Sequence, residues 1–564
     1  MARALFSLLS FLLAVLPLCY AATKTFTLNL AYSTVAPDGF SGRMMLANGQ
    51  IDYPISVNKG DDVEITVVNN LDVATTIHWH GIFQKGTPFM DGAGGVTQCP
   101  IQPGATFVYK FNVGDQTGTY WWHAHYKSQY VDGLRGPFII NDPSDPYKSQ
   151  YDTDLTVTLS DFHHKPSQEL LNYYFTPNEG AFEPVPDSGL IGGAGRFNCS
   201  FAPAGSTCKD SNPLTVYNVV PGKRYRLRLI NTSAMAKFNF TIDGHNMTII
   251  EADGVYTNPT VVNILPIHTG QRYSVIVTAN APTAIGNFWM RADINNLWDP
   301  APWLAGGLNP QVRAIWRYQN APVVDPTTQI ATDLGFDVYS LGELNGIAVG
   351  NNPSWNSSIY LDFFIGPLGD QNITTATTTL SGPPDWTSVQ YLMPSVPSLY
   401  TAQQNQALPN SSAPIPVDDG SWVYIEIHND DAMEHVFHLH GHTFYVVSHG
   451  RLLHAPTATA TLARRDSIQV PSCVGGHGGT GEQGCLKGFL GILVNFNNPG
   501  TWLMHCHMEW HMAAGLVVTF VNNAGLSSVD FPSGFYDQCN APTKKTKTKK
   551  TKATKKHRSA AVAA

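Results

Sequence analysis

The sequence predicts an all-β protein built as three consecutive β-sandwich domains. Three observations carry that expectation: a length of 564 residues, short segments that alternate apolar and polar positions, and one phrase that occurs three times. A chain this long exceeds a single hydrophobic core, so several domains are needed. With 43% hydrophobic and only 13% charged residues, 49 Gly and 38 Pro, the composition fits strands joined by many turns. It excludes a helical bundle or a disordered chain.

The alternation is clearest in Asp62 to Asn69 (DVEITVVN), Thr106 to Phe111, Arg224 to Ile230 and Arg272 to Thr278. An apolar residue at every second position marks a half-buried strand, and Pro-Gly and Asn-Gly pairs supply the turns between. The phrase NKGDDVEITVVNNLD near the start returns as VPGKRYRLRLIN at 220–231 and as VDDGSWVYIEIHNDD at 417–431. Each copy is a turn, an alternating strand and an Asn at its end, which reads as one sandwich used three times. The domains then run over 22–147, 148–322 and 323–540, with boundaries in two stretches rich in Pro and Asp.

The termini and cysteines point to export. Arg3, an apolar run from Leu5 to Leu18 and small residues at Cys19 and Ala21 read as a secretory signal over 1–21. No later segment approaches about 18 uninterrupted apolar residues, so no membrane span is expected. Seven Asn-x-Ser/Thr sequons (Asn198, Asn231, Asn239, Asn246, Asn356, Asn372, Asn410) agree with a secreted glycoprotein, extracellular or in the cell wall. Six cysteines are left once Cys19 departs with the signal and Cys506 is set aside, which implies three disulfides. Spacing suggests Cys199–Cys208 and Cys473–Cys485 as local loops, leaving Cys99 with Cys539. Residues 541–564 carry eight Lys, one Arg and no acid, a basic disordered tail able to touch an anionic wall polymer. The rest of the chain is therefore more acidic than the overall −8, which argues against nucleic acid as a partner.

Ten of the twenty histidines fall in four clusters: His78-Trp-His80, His123-Ala-His125, His435-Val-Phe-His438-Leu-His440 and His505-Cys506-His507-Met-Glu-Trp-His511. On a strand, residues two apart share a face. His78/His80, His123/His125, His438/His440 and His505/His507 can thus converge as eight imidazoles around three metals. Cys506 must point the other way, and His435 has the opposite parity to His438. With His511 they form a His₂Cys set, the signature of a blue-copper electron-transfer centre. Histidines outside the clusters, among them His163, His164, His245 and His442, are expected to be structural or at the surface.

All four clusters, in order, together with HWHGIFQKGTPFMDGAGGVTQCPI, QYVDGLRGPFII, IDGHNMTIIEADGV and HVFHLHGHTF, resemble fungal laccases of the blue multicopper oxidase family. The resemblance implies three cupredoxin-like Greek-key domains and four coppers. His78 and His438 would hold the type 2 ion. One type 3 ion would fall to His80, His123 and His507, the other to His125, His440 and His505. His435, Cys506 and His511 would hold type 1. The family's axial position falls on Leu516, which cannot coordinate, so the blue copper should be three-coordinate with a potential higher than a Met ligand gives. His511 would take electrons from a phenolic or diphenolic substrate, and dioxygen would be reduced to water. Asp91 and Glu509 resemble the family's proton donors. Asp187 matches the acid that accepts the phenolic proton, and Glu183 stands where fungal ferroxidases place an electron-accepting carboxylate. The His-Cys-His-x-Glu-Trp-His wording and Leu516 also look ferroxidase-like, which makes Fe(II) oxidation the alternative activity. Such iron oxidases usually carry a C-terminal membrane helix, for which this sequence has no counterpart. Val131 and Pro186 stand where many laccases have a second inter-domain disulfide, so that bridge is missing. A non-enzymatic copper-binding wall protein is the third reading, disfavoured because all eleven ligands are present. The expected protein is a monomer.

Overall fold

A computed structural model describes residues 22–540 except 177–182, 282–285, 296–307, 331, 365–376, 383–384, 390–392, 452–460, 475–485 and 534. The expected signal (1–21), the basic tail (541–564), Asn372 and Cys485 lie outside the described residues.

Alternation in the sequence becomes alternation in burial. Asp62–Asn69 buries every second side chain against its own domain's core. Described strands fall into six sheets, two for each of three successive stretches of chain. Sheets of four and four strands use Thr23 to Asn141, sheets of six and five use Thr153 to Tyr318, and sheets of seven and five use Ser357 to Asn522.

The threefold phrase occupies one topological position three times. Asp62–Asn69 runs parallel to Thr23–Val35, Arg224–Asn231 parallel to Thr153–Phe162, and Ser421–Asn429 parallel to Ser357–Phe364. Each is flanked on its other side by an antiparallel strand: Thr106–Asn112, Arg272–Thr278 or Gly488–Phe496. The Asn that ends each copy is fully buried, and its amide ties the next loop back to a neighbouring segment. Asn69 donates to the Val73 and Ile101 carbonyls, both at 2.9 Å. Asn231 donates to Ala236 and Ile267 at 2.8 and 3.0 Å, and Asn429 to Met433 and Pro471 at 2.7 and 3.0 Å. Full satisfaction makes a buried amide tolerable there.

Buried side chains of the first and third stretches merge into one continuous core, from Leu28 to Phe535, while the second keeps a largely separate core around Leu227, Phe240 and Trp316. Among the described residues two cystines have both partners in view. Cys199–Cys208 closes a local loop, and Cys99–Cys539 joins positions 440 residues apart with Cα atoms 5.2 Å from each other. Cys473 is also disulfide-bonded, and its expected partner Cys485 lies outside the described residues. Among the described residues Cys506 is the free cysteine, and no helix is long and apolar enough to cross a membrane.

Candidate metal centre

Two hairpin-like pairs of strands present the histidines. Ile77–His80 pairs antiparallel with Gly118–Ala124 so that His78 lies opposite His123. His435–Leu439 pairs with Gly500–Cys506 so that His438 lies opposite His505 and Phe437 opposite Cys506. Across the shared core of the first and third domains the two pairs meet: His78 stacks on His440 at 4.0 Å and His80 on His438 at 3.7 Å between ring centres. Ring nitrogens of His80, His123 and His507 lie within 4.8 Å of one another, as do those of His125, His440 and His505, and those of His78, His80 and His438. All eight rings are buried.

In five of the eight rings Nδ1 is tied to a protein oxygen, which sets the ring's orientation. His123 and His505 place Nδ1 3.0 Å from the carbonyls of Ala124 and Cys506. His438 Nδ1 lies 2.9 Å from the Asp466 carbonyl, His78 Nδ1 2.7 Å from the Asp91 carbonyl, and His440 Nδ1 2.9 Å from Asp91 Oδ2. An N–H donated there leaves Nε2 as the lone-pair nitrogen. The Nε2 atoms of His78, His123, His125 and His438 are buried and have no hydrogen-bond partner, a costly state unless a metal takes the lone pair. Burial, reinforced by neighbouring rings, pushes His80, His123, His125, His438 and His505 well below the ordinary histidine range. The same burial lowers His440 to about 4 and His507 to about 3. Neutral imidazole is the ligating form, and a buried all-imidazole set suits copper rather than calcium or magnesium.

Cys506 faces away from this set. Its Sγ lies 3.7 Å from Nδ1 of His435 and 3.7 Å from Nδ1 of His511, and all three residues are fully buried. His511 reaches it because the strand ends and the short helix Glu509–Ala513 turns the chain back. Burial alone would raise the thiol, but hydrogen bonds from His435 and His511 bring it down to about 6. Burial alone would lower His511, but the sulfur and Glu183 lift it to about 10. A thiolate held between two imidazoles is a soft, trigonal donor set. Both outer nitrogens meet carboxylates: His435 Nε2 lies 3.0 Å from Asp431 Oδ2, and His511 Nε2 3.1 Å from Glu183 Oε1.

Three multicopper oxidase family models match residues 29–145, 153–321 and 383–525. The chain belongs to the multicopper oxidase family. It is an oxidoreductase that uses copper in type 1, type 2 and type 3 sites, built on three cupredoxin-like domains. Among its relatives is Laccase-4 of Thanatephorus cucumeris, 37% identical over 536 residues, covering 90% of this chain and 92% of that one. Laccase-4 of Trametes villosa is 38% identical over 530 residues, covering 90% and 91%. Two solved structures share the architecture across most of the chain. The laccase from Botrytis aclada has a TM-score of 0.77 at 30% identity, covering 92% of each chain. A multicopper oxidase that functions in iron import has a TM-score of 0.74 at 27% identity, covering 92% of this chain and 94% of its own.

The other residues singled out from the sequence take distinct places in this multicopper oxidase. Asp91 is buried between His78 and His440; burial alone would raise it, but those two rings hold it well below the usual carboxylate range. Glu509 is lifted by burial to about 8, tempered by hydrogen bonds from Ser128 and Tyr130. It lines a cavity of about 290 Å³ that also reaches His125. Leu516 is buried, and its carbonyl accepts the Cys506 N–H at 3.1 Å. Glu183 is brought to His511, whereas Asp187 accepts the His164 N–H at 2.8 Å. Sequence reasoning missed Asp431, which its position four residues before His435 could have flagged. It also missed Asp466, whose carboxylate lies 3.5 Å from His80 and is gripped by both terminal nitrogens of Arg272 at 2.6 Å; nothing in the linear order signals that contact. The histidines expected to be structural have protein partners: His164 binds Asp38 at 2.8 Å and His245 binds Tyr318 at 2.7 Å.

Proposed function

We propose that this multicopper oxidase is a secreted, monomeric laccase that oxidises phenolic substrates by one-electron steps while dioxygen is reduced to water. The observation that carries the reading is the double-faced His505-Cys506-His507 triplet. Its sulfur lies against His435 and His511, while the rings on either side join the eight-imidazole set. In this reading His435, Cys506 and His511 hold type 1 copper, and His78 and His438 hold type 2. His80, His123 and His507 hold one type 3 ion, and His125, His440 and His505 the other. Bound copper supplies one-electron acceptance at the blue site and the reduction of dioxygen at the cluster.

The chain's own residues do the rest. Cys506 joins the two ligand sets through its own backbone, so no gap in covalent structure separates them. Glu183 fixes the His511 ring through its outer nitrogen. A phenol must release a proton as it gives up an electron. Asp187, with a side chain 36% exposed, is the acceptor in this reading. Glu509, neutral below about pH 8, holds a proton beside the cavity near His125, and Asp91 orients His78 and His440. In this reading the domains divide at 147/148 and 322/323, which is supported by the absence of strands between Asn141 and Thr153 and between Tyr318 and Ser357 among the described residues. Export rests on the leader and the sequons, and contact with an anionic wall polymer on the basic tail.

One observation favours Fe(II) oxidation as a second reading: Glu183 and Asp431 each place a hard oxygen on one of the two blue-site imidazoles. Carboxylates of this kind suit a ferrous ion. Turnover of a diphenol and of Fe(II), measured side by side on copper-replete preparations, separates the two. Laccase chemistry predicts that Asp187→Asn raises KM for phenols and lowers their turnover while sparing donors that lack an ionisable hydroxyl. Iron chemistry predicts that Glu183→Ala impairs Fe(II) oxidation selectively. Wild-type efficiency far higher with Fe(II) than with any diphenol, together with a silent Asp187→Asn, would overturn the laccase reading.

A further inference from the structure

A group of aromatic rings is left uncovered on the third domain, beside the strands Ser357–Phe364 and Ser421–Asn429. Trp355 is 48% exposed and Tyr360 38%. Trp355 stacks on Tyr424 with ring centres 5.4 Å apart. An exposed indole stacked on a tyrosine offers an apolar face on which a sugar can pack. The residue next to Trp355 is Asn356, exposed, and the first of the acceptor tripeptide Asn356-Ser357-Ser358. Asn356 is held by its backbone and its oxygen alone: its N–H donates to the Trp422 carbonyl at 2.8 Å, and its Oδ1 accepts the Trp422 N–H at 3.2 Å. Its Nδ2 has no acceptor among the described residues.

The contrast with Asn231 is physical. That sequon asparagine is fully buried, and its Nδ2 is committed to the Ala236 and Ile267 carbonyls. A sugar on that nitrogen would displace both bonds and could not fit the core, so a folded molecule carries Asn231 bare.

We propose that Asn356 carries an N-linked glycan whose first sugars lie over the Trp355–Tyr424 stack and shield that aromatic face from water. The proposal rests on the chain being exported. In the transfer, Nδ2 forms a bond to the anomeric carbon of an oligosaccharide carried on a lipid diphosphate. The diphosphate leaves, and Nδ2 gives up one proton. A pyranose then offers a face of C–H groups that packs on an indole as other apolar surface does. Fixing the amide oxygen of Asn356, the residue next to Trp355, on the Trp422 backbone restrains the side chain and keeps the linkage from swinging free.

The test uses full-length enzyme secreted from a eukaryotic host, with glycopeptide mapping and hydroxyl-radical footprinting of Trp355. Asn356 is expected to be occupied and Asn231 bare. Ser358→Ala, which removes the acceptor motif but leaves Asn356 and its contacts, is expected to raise Trp355 oxidation severalfold without changing copper content. Enzymatic removal of N-glycans should do the same, while Asn198→Gln should leave Trp355 unaffected. A bare Asn356 in protein whose Asn198 or Asn410 is occupied would overturn the proposal and leave export standing. Bare asparagines at every sequon of the secreted enzyme would overturn it as well, whereas failure of the enzyme to reach the medium would be the failure of export. Equal Trp355 oxidation with and without the glycan would overturn the shielding.

Discussion

At Cys506 burial and hydrogen bonding oppose each other, and hydrogen bonding wins: the thiol sits near 6 rather than above its usual value. The lowered thiol and the raised His511 make a thiolate–imidazolium pair, so copper has to displace a proton from the ring rather than from the sulfur. Leu516 is the residue proposed for the axial position of this thiolate site. It is buried, bonded by its carbonyl to the Cys506 N–H, and has no donor atom to offer. Leu516→Met is a volume-conserving change, expected to cost less than about 1.5 kcal/mol, so its effect on the copper can be read in folded enzyme. A weak axial thioether should lower the potential in a redox titration of the blue band; an unchanged or raised potential would place the axial position elsewhere. Legibility at this scale followed strand geometry. Parity along a strand placed His78, His80, Cys506 and His435 on their faces. It was silent about Glu183 and Asp187, which lie four residues apart outside regular pairing. Which of the two meets His511 depends on how their segment folds against the third domain, and linear spacing does not encode that.

The strand that ends in a buried Asn is the element used three times, and its repetition was readable because strand burial repeats every two residues. The reason for the Asn was not readable, since its partners Ile101, Ile267 and Pro471 come from distant segments. The helix Glu509–Ala513 makes the same point for the site. His511 lies beyond the strand, where parity no longer applies, and only the turn of chain returns it to Cys506. The Cys99–Cys539 bond is the element that fastens the end of the chain to its beginning. Around it Phe531 packs on Phe89 at 4.8 Å and Phe535 on Phe107 at 5.6 Å between ring centres. Replacing both cysteines with serine should cost about 2–5 kcal/mol and lower the thermal midpoint, with the blue colour retained at room temperature. Calorimetry checks this, and a midpoint equal to wild type would mean the aromatic contacts alone hold the terminus.

Across the whole molecule, the second domain supplies none of the proposed ligands yet reaches the cluster. Arg272 comes from the second domain and grips Asp466 of the third at 2.6 Å through each terminal nitrogen, while its Nε donates to Thr119 O of the first at 3.1 Å. Asp466 in turn turns His438 through its carbonyl and approaches His80. Three domains therefore meet at one buried ion pair. Such a pair is strongly destabilising when half of it is removed, by about 3–5 kcal/mol, so Arg272→Lys, which keeps the charge but loses the fork, is the informative change. It should alter the type 2 copper resonance or lower copper occupancy at the cluster while leaving the blue band intact. Unchanged resonance and full copper would confine Arg272 to holding the domains together. The central claim is that one triplet, His505-Cys506-His507, serves two metal sites at once. Copper analysis combined with the visible spectrum of Cys506→Ser tests it most directly. The account predicts a blue wild type with four coppers and a colourless, inactive variant that keeps the three of the cluster; a variant that stays blue, or a copper-replete wild type without colour, would contradict it.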